Sequence, residues 1–110
     1  ILINNGGISQ RALVIDTDLS VYRKIMEVDY FAPVQLTKLV LPGMLRRKTG
    51  QIVTLTSATG IISTPYRSAY AAAKHALHGF FDALHAEVYD SNLRVTLICP
   101  GYIQTNVSFN

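Results

Sequence analysis

The sequence predicts an α/β fold built on a parallel sheet, and three observations carry that prediction. Three short runs, ILIN at the start, QIVTLTS from Gln51 and LRVTLICPG from Leu93, are rich in β-branched residues and apolar at successive positions. Strands buried on both faces of a parallel sheet read that way. Two long stretches of helical spacing separate the runs, and this alternating order implies right-handed βαβ crossovers.

The first run passes into NNGG, where glycines let backbone approach a ligand closely. A helical stretch then runs from about 18 to 47, with Asp18 or Ser20 as its cap and Thr49-Gly50 as its end. Pro33 and Pro42 lie inside it, so a kink or break is expected near each. After the second strand and the loop ATGIISTPYR, a second helix is expected from about 66 to 89. Ala69, Ala72, Ala73, Ala76, Leu77, Phe80, Phe81, Leu84 and Val88 keep helical spacing there. Over the first half the apolar arc is too wide for one buried stripe. A second copy would cover the outer side, which predicts a homodimer or homotetramer through the two long helices. The third strand ends at Pro100-Gly101, a forced sharp turn.

Composition bounds the rest. With 110 residues, 49% hydrophobic and 15% charged, the chain is core-rich and globular, one small domain or part of a larger one. The net charge of +3 is modest, and its one basic cluster, Arg46-Arg47-Lys48, complements the end of a helix dipole. A nucleic-acid-binding face is broader than that. Cys99 is the only cysteine, so no intrachain disulfide forms and a reduced compartment fits. No apolar run nears the ~20 residues of a membrane span. The chain opens on Ile1-Leu2-Ile3 as though cut inside a strand, and is expected to be a fragment. A cytoplasmic location, or attachment through a segment outside this chain, is consistent with that.

The stretch SAYAAAK places Tyr70 and Lys74 four residues apart, about 40° around a helix axis and one turn along it. For an arbitrary YxxxK, a helix-edge tyrosine beside a solvated lysine is the plain explanation. Here the setting differs. Ser57 ends the second strand, and all three post-strand loops, NNGG, ATGIISTPYR and PGYIQT, open on the carboxyl edge, where open α/β sheets bind ligands. A free phenol ionises near ~10 and is a poor base at neutral pH, and a cation within ~4–6 Å favours its phenolate.

Taken together, NNGG, TSATG, YAAAK and PGYIQT resemble the NNAG, serine, YxxxK and PGxxxT motifs of the short-chain dehydrogenase/reductase family. VDYFAPVQLTKLVLPGML and RSAYAAAKHALHGFFDAL are most similar to its dehydrogenase/reductase member 7 subgroup. The resemblance implies a doubly wound, Rossmann-type fold, NAD or NADP as cofactor, and hydride transfer between a carbonyl and an alcohol. By the same resemblance Tyr70 is the general acid and base, and Lys74 favours its phenolate and holds the nicotinamide ribose. Ser57 hydrogen-bonds the substrate oxygen. Asn4 and Gly6 lie along the adenosine side; Pro100, Gly101, Ile103 and Thr105 hold the nicotinamide side. The glycine-rich phosphate loop of the family occurs nowhere in the chain. The expectation is therefore a central and C-terminal-side part of one domain, inactive alone.

One position departs from the family pattern. Asp29, in MEVDYF, stands where an asparagine usually helps a water relay protons to the lysine. Ionised aspartate accepts hydrogen bonds but cannot donate, so the relay is expected to be altered but retained. Two alternatives stay open: an epimerase or dehydratase of the related extended fold, against which NNGG and PGYIQT argue, and a silent sensor or scaffold, supported by Asp29 alone. His75, His78 and His85 share a helix without the further ligands of a structural metal site. Cys99 behaves as a small hydrophobe, and the sequon at Asn106 falls on a cofactor-side loop.

Overall fold

The structure is a computed structural model, and it describes residues 1–4, 7–56 and 65–98. Three strands, β1 (Leu2–Asn4), β2 (Gly50–Leu55) and β3 (Leu93–Ile98), form one parallel sheet in the order β1-β2-β3. Between them lie α1 (Leu19–Met26), α2 (Ala32–Arg47) and α3 (Ser68–Glu87). This is the α/β architecture the alternating pattern predicts, and it brings the carboxyl ends of all three strands to one edge.

The register sets two rows of side chains across the sheet's packed face. Leu2, Ile52 and Val95 are aligned in one row, and Asn4, Thr54 and Leu97 in the next, nearer the carboxyl edge. The core joins Ile52, Leu93, Val95 and Leu97 to Met44 of α2 and to Leu77, Phe81 and Leu84 of α3. Burial along β3 alternates, however, with Arg94 exposed between buried Leu93 and Val95. Apolar runs led the sequence to predict strands covered on both faces; here the described helices cover one. Two right-handed crossovers in the same direction place their helices on the same side of a sheet.

The first helical stretch is not one helix. A π-helical turn, Glu27–Phe31, separates α1 from α2 just before Pro33, the second residue of α2. Proline has no N–H to give, and its ring crowds the carbonyl four residues back, which is that of Asp29. A wider turn relieves that crowding. Pro42, by contrast, lies inside α2 without ending it. Its solvent-exposed position lets water serve the freed carbonyl. Asp18 occupies the cap position of α1, but its carboxylate accepts from Ser20 Oγ at 2.6 Å and caps no backbone N–H.

Helix α2 stops differently from the expected Thr49-Gly50 ending. Lys48 takes the left-handed conformation, φ 57°, and its carbonyl accepts from Asn92 Nδ2 at 3.0 Å. Gly50 is instead the first residue of β2, and space explains it: a Cβ there would lie 2.5 Å from Met44 Sδ. Helix α3 begins and ends two residues inside its predicted limits. In its first half Ala69, Ala71, Ala73 and Lys74 are buried while Ala72 and His75 face outward. No helix among the described residues is long and apolar enough to cross a membrane.

Candidate active site

The carboxyl edge gathers polar side chains that the fold buries. Asn4 ends β1 with its side chain turned into the packed row, where Nδ2 donates to Thr54 Oγ1 at 3.2 Å. Its Oδ1 is buried and has no partner among the described residues. Beside this row the π-helical turn presents Asp29, whose side chain is fully buried. Single π turns inside helices often serve functional sites, because the extra residue re-aims one side chain.

Asp29 Oδ1 accepts the Ile8 backbone N–H at 2.7 Å, while Oδ2 has no partner among the described residues. Burial raises the Asp29 pKa above its ordinary 3.8; the Ile8 hydrogen bond and the charge of Lys74 pull the other way without cancelling it. Gly7 shows how close these groups are. A Cβ on Gly7 would lie 3.3 Å from Asp29 Oδ1 and 3.5 Å from Lys74 Nζ, so the carboxyl and the amine flank one point of backbone. A side chain there would intrude between them. Glycine keeps that approach open.

Helix α3 delivers the other pair. Lys74 is 4% exposed, although lysine is rarely buried at all, and its Nζ lies 5.4 Å from the centroid of the Tyr70 ring. Tyr70 is half-buried on the same face. Three of the sequence-predicted residues thus converge, with Tyr70 beside Lys74 and Lys74 beside Asp29. Asn4 lies at the same sheet edge, engaged with Thr54. Ser57, Gly6, Pro100, Gly101, Ile103 and Thr105 lie outside the described residues. What the sequence did not reveal is the Ile8 amide as the Asp29 partner, since a backbone N–H leaves no residue-type signal. Thr54 was legible only as a strand residue.

Chemically, the cluster holds a cation beside a phenol ring, and close to that cation a buried carboxyl whose pKa burial raises. The unpartnered oxygens of Asn4 and Asp29 and the bare backbone at Gly7 leave acceptors and room for a hydroxylated ligand.

Comparison with known proteins gives the family of this chain. A sequence model of the family described as short chain dehydrogenase matches residues 1–110. Dehydrogenase/reductase SDR family member 7B of Rattus norvegicus is 58% identical over 110 residues, covering all of this chain and 34% of the relative. Dehydrogenase/reductase SDR family member 7 of Homo sapiens is 52% identical over 111 residues, covering all of this chain and 33% of the relative. The chain therefore spans about a third of the length of these curated relatives. Among solved structures, a short-chain dehydrogenase from Streptomyces avermitilis matches with a TM-score of 0.88 and 34% identity, over 96% of this chain and 39% of that one. A 4-hydroxyisoleucine dehydrogenase complexed with NADH and succinate matches with a TM-score of 0.86 and 35% identity, over 93% and 48%.

Proposed function

The chain belongs to the short chain dehydrogenase family, and from that premise we propose that it is part of a nicotinamide-dependent oxidoreductase interconverting a carbonyl and an alcohol. One observation carries this reading: a buried ammonium, Lys74 Nζ, set 5.4 Å from the ring centroid of a tyrosine on the carboxyl-edge side of a parallel sheet. Burying a lysine is costly unless a function or a partner compensates.

Tyr70 gives its hydroxyl proton to the carbonyl oxygen as that oxygen gains negative charge in reduction, and takes it back in oxidation. Lys74 favours the phenolate that remains. Ser57 donates a hydrogen bond to the same substrate oxygen, an oxyanion-type role rather than a nucleophilic one. NAD or NADP, when bound, supplies or accepts the hydride. The Lys74 amine beside the open backbone at Gly7 fits the hydroxyl groups of the nicotinamide ribose, Asn4 lies along the adenosine side, and the NADH-bound relative supports a nicotinamide cofactor. By family resemblance Gly6, Pro100, Gly101, Ile103 and Thr105 complete that cradle. Asp29 lies beside Lys74, its pKa raised by burial, and serves as the altered relay residue.

The same reading takes this chain as the central and C-terminal-side part of a single domain whose phosphate-binding half lies elsewhere in the protein. Exposed Phe31, Leu36 and Leu39 support pairing of the long helices with a second copy. The test is Tyr70→Phe in the full-length protein. Nicotinamide-linked turnover of a carbonyl substrate should fall at least ~10²-fold, the scale of lost acid–base catalysis, with an unchanged circular dichroism spectrum. Full turnover by the phenylalanine protein would remove Tyr70 from the mechanism.

A further inference from the structure

Helix α3 starts without a cap of its own. Arg67 holds the cap position, yet its side chain makes no capping hydrogen bond, and an uncapped first turn leaves backbone N–H groups unsatisfied and frays. Tyr70 sits in that first turn. What secures it comes from far along the chain. Gln10 Oε1 accepts the Ala69 N–H at 3.3 Å, while Gln10 Nε2 donates to the Ala12 carbonyl at 3.1 Å and to Thr17 Oγ1 at 3.3 Å. The Ala12 N–H donates to the Tyr66 carbonyl at 2.9 Å, and Ala12 and Arg67 form an isolated parallel bridge. Tyr66 itself is held at φ 69°, a left-handed conformation that a tyrosine keeps only where its surroundings dictate it.

The guanidinium of Arg67 joins this strap to the catalytic side chain. Its Nη1 donates to Ser9 Oγ at 2.9 Å, and its Cζ lies 6.0 Å from the centroid of the Tyr70 ring. Residues 7 to 12 therefore touch three parts of the site in succession. Gly7 and Ile8 meet Lys74 and Asp29, Ser9 holds Arg67, and Gln10 and Ala12 hold the entry to α3.

We propose that Arg67 is a positioning residue for Tyr70, tethered through Ser9 and Gln10 by the strap that follows β1. The proposal rests on the oxidoreductase reading above. Arg67 acts through the ring and does not contact substrate. Among the described residues its guanidinium meets a hydroxyl and an aromatic face of the protein itself. A cation over an aromatic face and a tether at its far end fix the plane of the phenol, and small errors in the placement of a reacting group are expensive in rate.

The experiment compares Arg67→Met, Arg67→Lys and Gln10→Ala in the full-length protein, by steady-state nicotinamide turnover and by hydrogen exchange at the start of α3. Arg67→Met is expected to lower kcat roughly tenfold with KM within about twofold, and Arg67→Lys to recover most of the loss by restoring a cation over the ring. Gln10→Ala should lower kcat about threefold and speed exchange over residues 68–72. A raised substrate KM with kcat intact in Arg67→Met would make Arg67 a substrate ligand and overturn the proposal. So would a lysine variant no better than the methionine one. If Arg67→Met does not fold, Gln10→Ala decides alone, and unchanged exchange at the start of α3 defeats the strap. That exchange readout needs no turnover, so a failure of the oxidoreductase reading remains distinguishable from a failure of the strap.

Discussion

The packed face of the sheet has two halves of opposite chemistry. Toward the amino ends of the strands, Ile52, Leu93 and Val95 meet Phe81, Leu84 and Val88 of α3 and the residue after it, and every buried side chain there is apolar. Toward the carboxyl ends, Asn4, Asp29, Thr54, Thr56 and Lys74 are buried as well. Three of their oxygens, Asn4 Oδ1, Asp29 Oδ2 and Thr56 Oγ1, have no partner among the described residues. Each such atom costs on the order of 1–3 kcal/mol. The same sheet thus packs an apolar core at one end and a buried polar cluster at the other. Active sites commonly trade stability for such arrangements. The apolar half is what makes the polar half tolerable.

The sharpest break of that comparison is Phe81→Ala. Phe81 is 1% exposed and central to the apolar cluster, so truncation should cost about 3–5 kcal/mol in denaturant unfolding of the full-length protein. Turnover per folded molecule should not change. If kcat fell in proportion, the two halves would not be separable. Gly50→Ala is expected to cost less, about 1–3 kcal/mol, because the new methyl group meets Met44 at van der Waals overlap and the helix end carrying Met44 must shift. Met44→Ala should cost less in this background than in the wild-type chain, since it removes the atom in the way.

The two halves were also unequally legible in the sequence. Successive apolar positions in QIVTLTS and LRVTLICPG gave the strands, and the spacing of Leu77, Phe81 and Leu84 gave the helix above them. Burial of this kind depends on residue type alone. In the polar half the YxxxK spacing was readable, since i and i+4 on a helix are neighbours by geometry, and family resemblance marked Asp29. The π turn was not. A proline after a helical stretch predicts disruption, and both Pro33 and Pro42 predicted it equally; only the first sits where the chain must also re-aim a buried carboxyl. Nor could Gln10 or Arg67 be found, because Gln10 serves the backbone N–H of Ala69 and Arg67 the hydroxyl of Ser9, partners nearly sixty positions away, and nothing in ISQR advertises a cap for a distant helix.

Asp29→Asn is the mildest change and probes the boundary between the halves. Asparagine keeps an oxygen for the Ile8 N–H and removes the ionisable group whose burial is the largest cause of the raised pKa. Because the folded value lies above the ordinary 3.8, the folded chain holds this proton where the unfolded chain has released it. Stability therefore falls as pH rises from just below 3.8 through the folded value, and the loss is constant beyond it. The asparagine protein should lack that decline and be more stable at neutral pH. Unfolding measured across pH checks the slope. A wild-type stability that instead rises with pH across this range, with the rise absent from the asparagine protein, would show that the Lys74 charge outweighs burial and that Asp29 is held as an anion. The pH profile of turnover decides the functional half of the question. A shifted profile places Asp29 in the proton path to Lys74, and an unchanged one makes it a structural partner of Ile8.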